Sequence, residues 1–273
     1  MEETDLIREA AAGDRNALET LLLSVQDEVF SLSLRMLGDV QDAEDAAQEI
    51  LIKVMTHLSS FRQESAFSTW VFRIAANHLI DYRKGRFSQH PLSFEAYGAD
   101  ICSGREKDVP DLHDVDEALL ERELKLSCTN VMLQCLDAQS RCIYVLGTMF
   151  RLDSRTAADI LGLTPEAYRQ RLSRARAKMG AFLSSYCGLS GTGVCRCKAR
   201  VAYAASQGRI DPARPAYHAL QEQDAQNFTD AMERLDALSQ IFADLPAYRA
   251  PESSAAWLRA LLVSPDFLAV ING

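Results

Sequence analysis

Apolar residues recur at helical spacing along most of the chain, and the strict alternation of a half-buried strand is scarce, so the pattern predicts a nearly all-α protein. Leu18, Leu21, Leu22 and Val25 mark one helix, which Gly38-Asp39 interrupts. Ala43, Ala47, Ile50 and Val54 then fall at i, i+4, i+7 and i+11, a narrow stripe that leaves Asp42, Asp45, Gln48, Glu49 and Lys53 mostly outward. A third helix starts near Ser68 or Thr69 and turns Trp70, Ile74 and Leu79 inward, with Arg73, Asn77, Asp81, Arg83 and Lys84 among its polar positions. From Gly85 to Glu121 the periodicity fades. Pro91, Gly98, Gly104 and Pro110 stand among acidic residues such as Asp108, Asp111, Asp114, Asp116 and Glu117, which is the composition of a linker. A second helical block runs from Leu124 to Leu183, and a tail beyond it carries helical patterns near 232–245 and 255–263.

The most informative stretch of that second block reads as two capped helices joined by a tight turn. Ser154 is the expected N-cap of the first and Gly162 its stop. Thr164 caps the second, Pro165 takes the first-turn position where a missing amide donor costs nothing, and Glu166 suits the positive end of the helix dipole. Tyr168, Leu172, Ala175 and Met179 form a stripe expected to bury against Ile160 and Leu161, so Arg169, Arg171, Arg174, Arg176 and Lys178 must flank or oppose it. A cationic helix face by itself is usually a solvated surface. Here the chain as a whole is acidic, with 29 Lys plus Arg against 38 Asp plus Glu, so the positive charge is local and calls for a local partner. The helix-turn-helix shape sets its second helix into a DNA major groove, with guanidinium groups at phosphates and Arg169, Gln170 and Ser173 at base edges. A net charge of −9 opposes indiscriminate adhesion to nucleic acid, so the isolated chain is expected to bind DNA weakly unless a partner presents it.

Length and composition, 273 residues with 48% hydrophobic content, suffice for two or three small folded domains. No apolar run approaches the roughly 20 residues of a membrane span, so membrane insertion is not expected and the chain reads as cytoplasmic. Seven cysteines without an export signal argue for reduced thiols. Cys128, Cys135 and Cys142 recur every seven residues, but the break expected near Asp137 to Ser140 makes small buried thiols their default. Cys187, Cys195 and Cys197 share a glycine-rich loop, where thiolates suit zinc or copper(I); His218 is a fourth ligand by proximity alone. A redox pair and structural thiols stand as alternatives. Arg196, Lys198 and Arg200 are expected to lower the thiol pKa values.

Three motifs in order carry a resemblance: Asp42-Ala43-Glu44-Asp45-Ala46-Ala47-Gln48-Glu49-Ile50 with Lys53; Phe61-Arg62 followed by Phe67-Ser68-Thr69-Trp70-Val71-Phe72-Arg73-Ile74-Ala75-Ala76-Asn77; and Tyr168 to Arg176 of the helix-turn-helix. Together they resemble the sigma-70 family of bacterial RNA polymerase sigma factors, specifically the extracytoplasmic-function (ECF) group. The resemblance covers about two thirds of the chain and leaves the tail unaccounted for; some members of the group carry cysteine-rich C-terminal extensions that sense metals.

The resemblance implies that Asp45, Gln48, Glu49 and Lys53 dock on the clamp helices of core RNA polymerase. It also implies that Phe61 and Asn77 pocket a flipped base of the minus-ten element, while Arg73, Arg83 and Lys84 track the single strand. Arg169, Gln170, Arg171, Ser173 and Arg174, flanked by Arg176 and Lys178, would read the minus-thirty-five duplex. The division that follows is a promoter-opening domain over 1–88, a flexible acidic linker over 89–120, a helix-turn-helix domain over 121–185 and a mostly helical extension over 186–273. Promoter DNA and core polymerase are the expected partners, with an anti-sigma factor or the extension itself as regulator. No catalytic residue and no cofactor is required, beyond a zinc or copper ion in the extension. The competing reading is a polymerase-independent helix-turn-helix regulator, which would bind tightly alone and need no Asp42 to Lys53 face.

Overall fold

Asp14 opens the first long element of the computed structural model, its carboxylate accepting a hydrogen bond from the Ala17 amide at 2.8 Å. The structure describes residues 3–103, 116–190, 192–219 and 248–264. After the short helix α1 (Glu3–Ala11), α2 (Arg15–Leu37) buries Leu18, Leu21, Leu22 and Val25 as the periodicity predicts. Every residue from Val29 to Leu37 is also buried, so the second half of α2 is enclosed on all sides and is the central rod of the fold. Gly38 ends it at φ 74°, a left-handed conformation that favours glycine, and Asp39 at once caps α3 (Val40–His57). Ala43, Ala47, Ile50 and Val54 all face the core. A 3-10 turn (Leu58–Ser60) leads to Phe61 and then to α4 (Phe67–Ile80). Its buried stripe is Phe67, Val71, Phe72, Ala75, Ala76 and Leu79; Trp70 and Ile74, expected inward, are only half-buried on its flank.

The stretch expected to be a flexible linker is partly built. After a single turn α5 (Arg86–Gln89), Ser93 caps α6 (Phe94–Cys102), whose Tyr97 and Ile101 are buried. Phe94 and Tyr97 lie 5.2 and 5.6 Å from the Phe182 ring, so this helix belongs to the second block. The acidic and glycine-rich composition masked that apolar stripe. The linker residues Asp108, Asp111 and Asp114 lie outside the described residues. The second block continues with α7 (Glu117–Leu133), α8 (Ala138–Tyr144), a π-helical turn (Val145–Met149), α9 (Ser154–Ile160) and α10 (Pro165–Tyr186). Asp153, not Ser154, caps α9, bonding the Arg155 and Thr156 amides. Thr164 caps α10 as expected, Gly162 takes a positive φ in the turn, and Tyr168, Ala175 and Met179 are buried.

The tail supplies α11 (Cys197–Ser206), a single turn α12 (Ala216–Ala219) and α13 (Glu252–Leu262); the pattern expected near 232–245 lies outside the described residues. Val201, Ala204 and Ile210 form a small second core with Leu120 and Leu124 of α7.

One hydrophobic core runs through both helical blocks, which corrects the expectation of two separated modules. Phe72 of α4 meets Phe150 edge-on at 5.1 Å, and the Arg35 guanidinium sits over Phe150 on one side and Tyr248 of the tail on the other. The last carbonyls of a helix lack partners within it. Those of α2 are claimed from outside: Gln134 donates to the Arg35 carbonyl, Arg141 to Met36, and the Tyr217 hydroxyl to Gly38. Helix-end chemistry thus ties the second block and the tail to the first.

Candidate nucleic-acid interface

The outward face of α3 and the flank of α4 meet in a cleft of 740 Å³. The α3 stripe is buried, so Asp45 and Lys53 are exposed and Gln48 and Glu49 half-buried, and of these Glu49 and Lys53 line the cleft. Across the cleft α4 presents Trp70, Ile74, Asn77 and His78. Asn77 is exposed, while Phe61 is half-buried with its ring 5.6 Å from Phe67 and 5.2 Å from Trp70. An aromatic ring held by two others offers a stacking surface, and an exposed amide offers an edge able both to donate and to accept a hydrogen bond. Of the sequence-expected residues, Glu49, Lys53, Asn77, Arg83 and Lys84 line this cleft; Asp45, Gln48, Phe61 and Arg73 are not part of its lining.

The polar network of the cleft was not legible in full. Lys84 pairs with Glu49 at 2.7 Å, and the Lys53 ammonium contacts the His78 ring at 2.7 Å. His78 also lies 3.4 Å from Glu49. The hydrogen bond from Lys84, with the nearby positive charges, holds the Glu49 carboxyl below its ordinary pKa. Burial, and then the Lys53 charge, push His78 below the ordinary value of 6.5, so its ring is neutral at pH 7. Sequence reading passed over His78 because its partners lie 25 and 29 positions away in the chain, beyond any helical spacing. Arg83 donates to backbone carbonyls at the end of α4. Arg73 is not part of the cleft lining: its guanidinium pairs with Asp159 of α9 at 2.6 Å.

On α10, Gln170, Ser173, Arg174 and Lys178 are exposed and Arg171 is half-buried. Arg169 is exposed and braced by Glu166 at 2.8 Å and by the Ser154 hydroxyl at 3.2 Å, which holds its fork at the start of the helix. Arg176 differs from its neighbours. It donates to the Thr148 hydroxyl and the Gly147 carbonyl, so part of its donor set supports the π-helical turn. Beneath the helix the buried Tyr168 hydroxyl donates to the Ile143 carbonyl and locks α10 onto α8.

The tail cysteines, whose spacing suggested a zinc or copper site, are each half-buried. Among the described residues no three His, Cys, Asp or Glu side chains are grouped to hold a metal ion, and the His218 side chain lies outside them. Burial pushes the Cys187 and Cys197 thiols up. Arg200, expected to lower thiol pKa values, instead pairs with Asp100 at 2.8 Å, together with Arg209 at 3.0 Å. Burial opposes the Asp100 charge, yet the Tyr203 hydroxyl and these two arginines hold its carboxyl below the ordinary range. Cys142 is buried, and burial raises Cys128 to about 11 and Cys135 and Cys142 to about 12, the behaviour of packed thiols. Cys102 is exposed at the end of α6.

The model of sigma-70 region 2 matches residues 21–87. Over 183 residues the chain is 31% identical to the RNA polymerase sigma factor NccH of Alcaligenes xylosoxydans xylosoxydans, a match covering 66% of this chain and 94% of NccH. It is 29% identical over 170 residues to the ECF RNA polymerase sigma factor SigW of Bacillus subtilis, covering 62% of this chain and 90% of SigW. A solved structure of CnrH in complex with the cytosolic domain of CnrY is similar at 26% identity and a TM-score of 0.47, covering 65% of this chain and 94% of that one.

Proposed function

The chain belongs to the sigma-70 family of RNA polymerase sigma factors, in its ECF group, and on that premise we propose how its surfaces divide the work of starting transcription. As a sigma factor it binds core RNA polymerase, directs it to promoters and helps open the DNA. In our reading, Asp45, Gln48, Glu49 and Lys53 dock on the polymerase, Phe61 and Asn77 hold a flipped base of the minus-ten element, and Arg73, Arg83 and Lys84 follow the single strand. Arg169, Gln170, Arg171, Ser173 and Arg174 read the minus-thirty-five duplex from the major groove, with Lys178 at the phosphates. Flipping a base costs a few kcal/mol, and stacking it on an aromatic ring returns about 1–3 kcal/mol, so binding can drive opening without a catalytic group in this chain.

The single observation that supports this reading most is the cleft in which Glu49 and Lys53 of α3 meet Trp70 and Asn77 of α4, with the Phe61 ring against Trp70, in a chain that also carries a separately capped basic helix, α10. The same geometry makes the present arrangement a closed one. Two elements named for positions ten and thirty-five lie about 25 base pairs apart, roughly 85 Å of B-DNA at 3.4 Å per pair. Arg73 and Asp159 touch, so the two blocks must part before both elements are held. The tail, which bonds to α2 and α7, is on this reading the part that keeps them together and so regulates the chain.

Run-off transcription with core polymerase tests the proposal. Specific products should form only when the chain is added. A shifted operator band with no polymerase present, and no products with it, would instead identify an independent regulator.

A further inference from the structure

The docking face of α3 carries one feature that the function above does not use. Ile52 is exposed beside the acidic row, and Trp257 and Leu261 of α13 stand against that row. Together with Asp42, Asp45 and Glu49 they line a cleft of 520 Å³. The helix is held there by its opposite face, where Leu258 and Leu262 are 1% and 0% exposed within the shared core. The residues flanking and within it are pinned on α2: the Ala250 amide donates to Asp27 at 2.8 Å, and Arg259 pairs with Glu19 at 2.8 Å. Just before it, Tyr248 is buried under the Arg35 guanidinium at 5.0 Å, and its hydroxyl accepts from Asn130.

We propose that residues 248–264 are a built-in shield for the polymerase-docking face, a segment of this chain that core polymerase must displace in order to seat. This rests on the sigma reading above. A partner helix with its side chains is about 10–12 Å across, so one lying along Asp45, Gln48 and Glu49 meets the Trp257 and Leu261 side chains at the edge of the same cleft. The occupant is fixed by anchors that lie in the chain itself, three of them on α2 or at its end. Because binding requires the uncovered form, the apparent affinity for core falls in proportion to the fraction of molecules in which α13 is displaced.

The test measures the dissociation constant of the full-length chain for core polymerase, by fluorescence titration. Leu258→Asp puts a charge where the helix is buried and should tighten binding at least fivefold. Arg259→Glu breaks an exposed ion pair and should tighten it about twofold, and adding Glu19→Arg should restore the original value by reversing the pair. A melting curve accompanies each variant; if Leu258→Asp unfolds the protein, the charge-swap cycle on exposed residues still decides. Equal affinity across that cycle, or weaker binding by the released forms, would overturn the shield. Failure of every form to bind core, the unaltered chain included, would overturn the sigma reading and the shield with it.

Discussion

Helices α4 and α10, the two proposed to meet DNA, are built alike and positioned differently. Both α4 and α10 bury one stripe and carry basic residues along the other side, yet α10 presents Gln170, Ser173, Arg174 and Lys178 to solvent. On α4 and its continuation the corresponding charges are already engaged, Arg73 with Asp159 and Lys84 with Glu49. On the proposed division of work, the duplex-reading surface is therefore ready in the closed form, while the strand-capturing surface is restrained by groups that polymerase docking would also involve. Recognition can precede opening because the first needs no rearrangement and the second does.

Breaking the readiness of α10 should give the largest effect. Tyr168→Ala removes a fully buried ring and its bond to Ile143, a loss of about 3–5 kcal/mol for a large aromatic, seen as a lower denaturation midpoint together with loss of promoter binding. Alanine at Gln170 or Arg174 should leave the fold intact and cost about 1–3 kcal/mol in binding the minus-thirty-five duplex, read in a promoter-binding titration at fixed salt.

Sharper and smaller is the pair that joins the two blocks. Arg73→Ala and Asp159→Ala break the same ion pair, which is half-exposed and worth at most about 1 kcal/mol. If Arg73 tracks the single strand once the blocks part, the two changes act with opposite sign on open-complex formation: Asp159→Ala raises it modestly, Arg73→Ala lowers it. A permanganate footprint of unpaired thymines distinguishes the two, and equal effects would mean that the pair is structural only.

The smallest effect belongs to His78, which faces Lys53, Glu49, Lys84 and Asp81. Its folded pKa lies below the ordinary 6.5, so the unfolded chain takes up the proton more readily. Its contribution to stability is present above about pH 6.5 and is lost as the pH falls through the folded value. His78→Gln should flatten that part of the melting-temperature curve by roughly 1 °C, a shift appropriate to a few tenths of a kcal/mol.

Much of the site was legible in the order of residues along the chain. The stripe Ala43, Ala47, Ile50 and Val54 has the helical period, and burying it forces Asp45 and Lys53 outward, so local sequence alone set the outward row of α3. Thr164 and Pro165 likewise marked the start of the recognition helix, because capping depends on residues a few positions apart. What composition concealed was α6, where Phe94, Tyr97 and Ile101 form an apolar face inside an acidic stretch and fold only because Phe182 is there to cover it. The cysteine spacing carried less for a related reason: three thiols near in sequence say nothing of burial, and burial pushes the Cys187 and Cys197 thiols up.

Residue order was enough to mark α2, α3 and α10 and the stripes they bury, since caps and periodicity depend on chemistry within a turn or two of the chain; α6 and the exact buried face of α4 were not fixed that way. Only the tertiary structure decided that the carbonyls ending α2 are satisfied by Gln134, Arg141 and Tyr217, that Arg73 meets Asp159, and that α13 stands beside the docking row. Those contacts join residues about 86 to 220 positions apart, and no local periodicity encodes such a pairing. They exist because unsatisfied carbonyls and exposed apolar faces find partners wherever the chain brings them together.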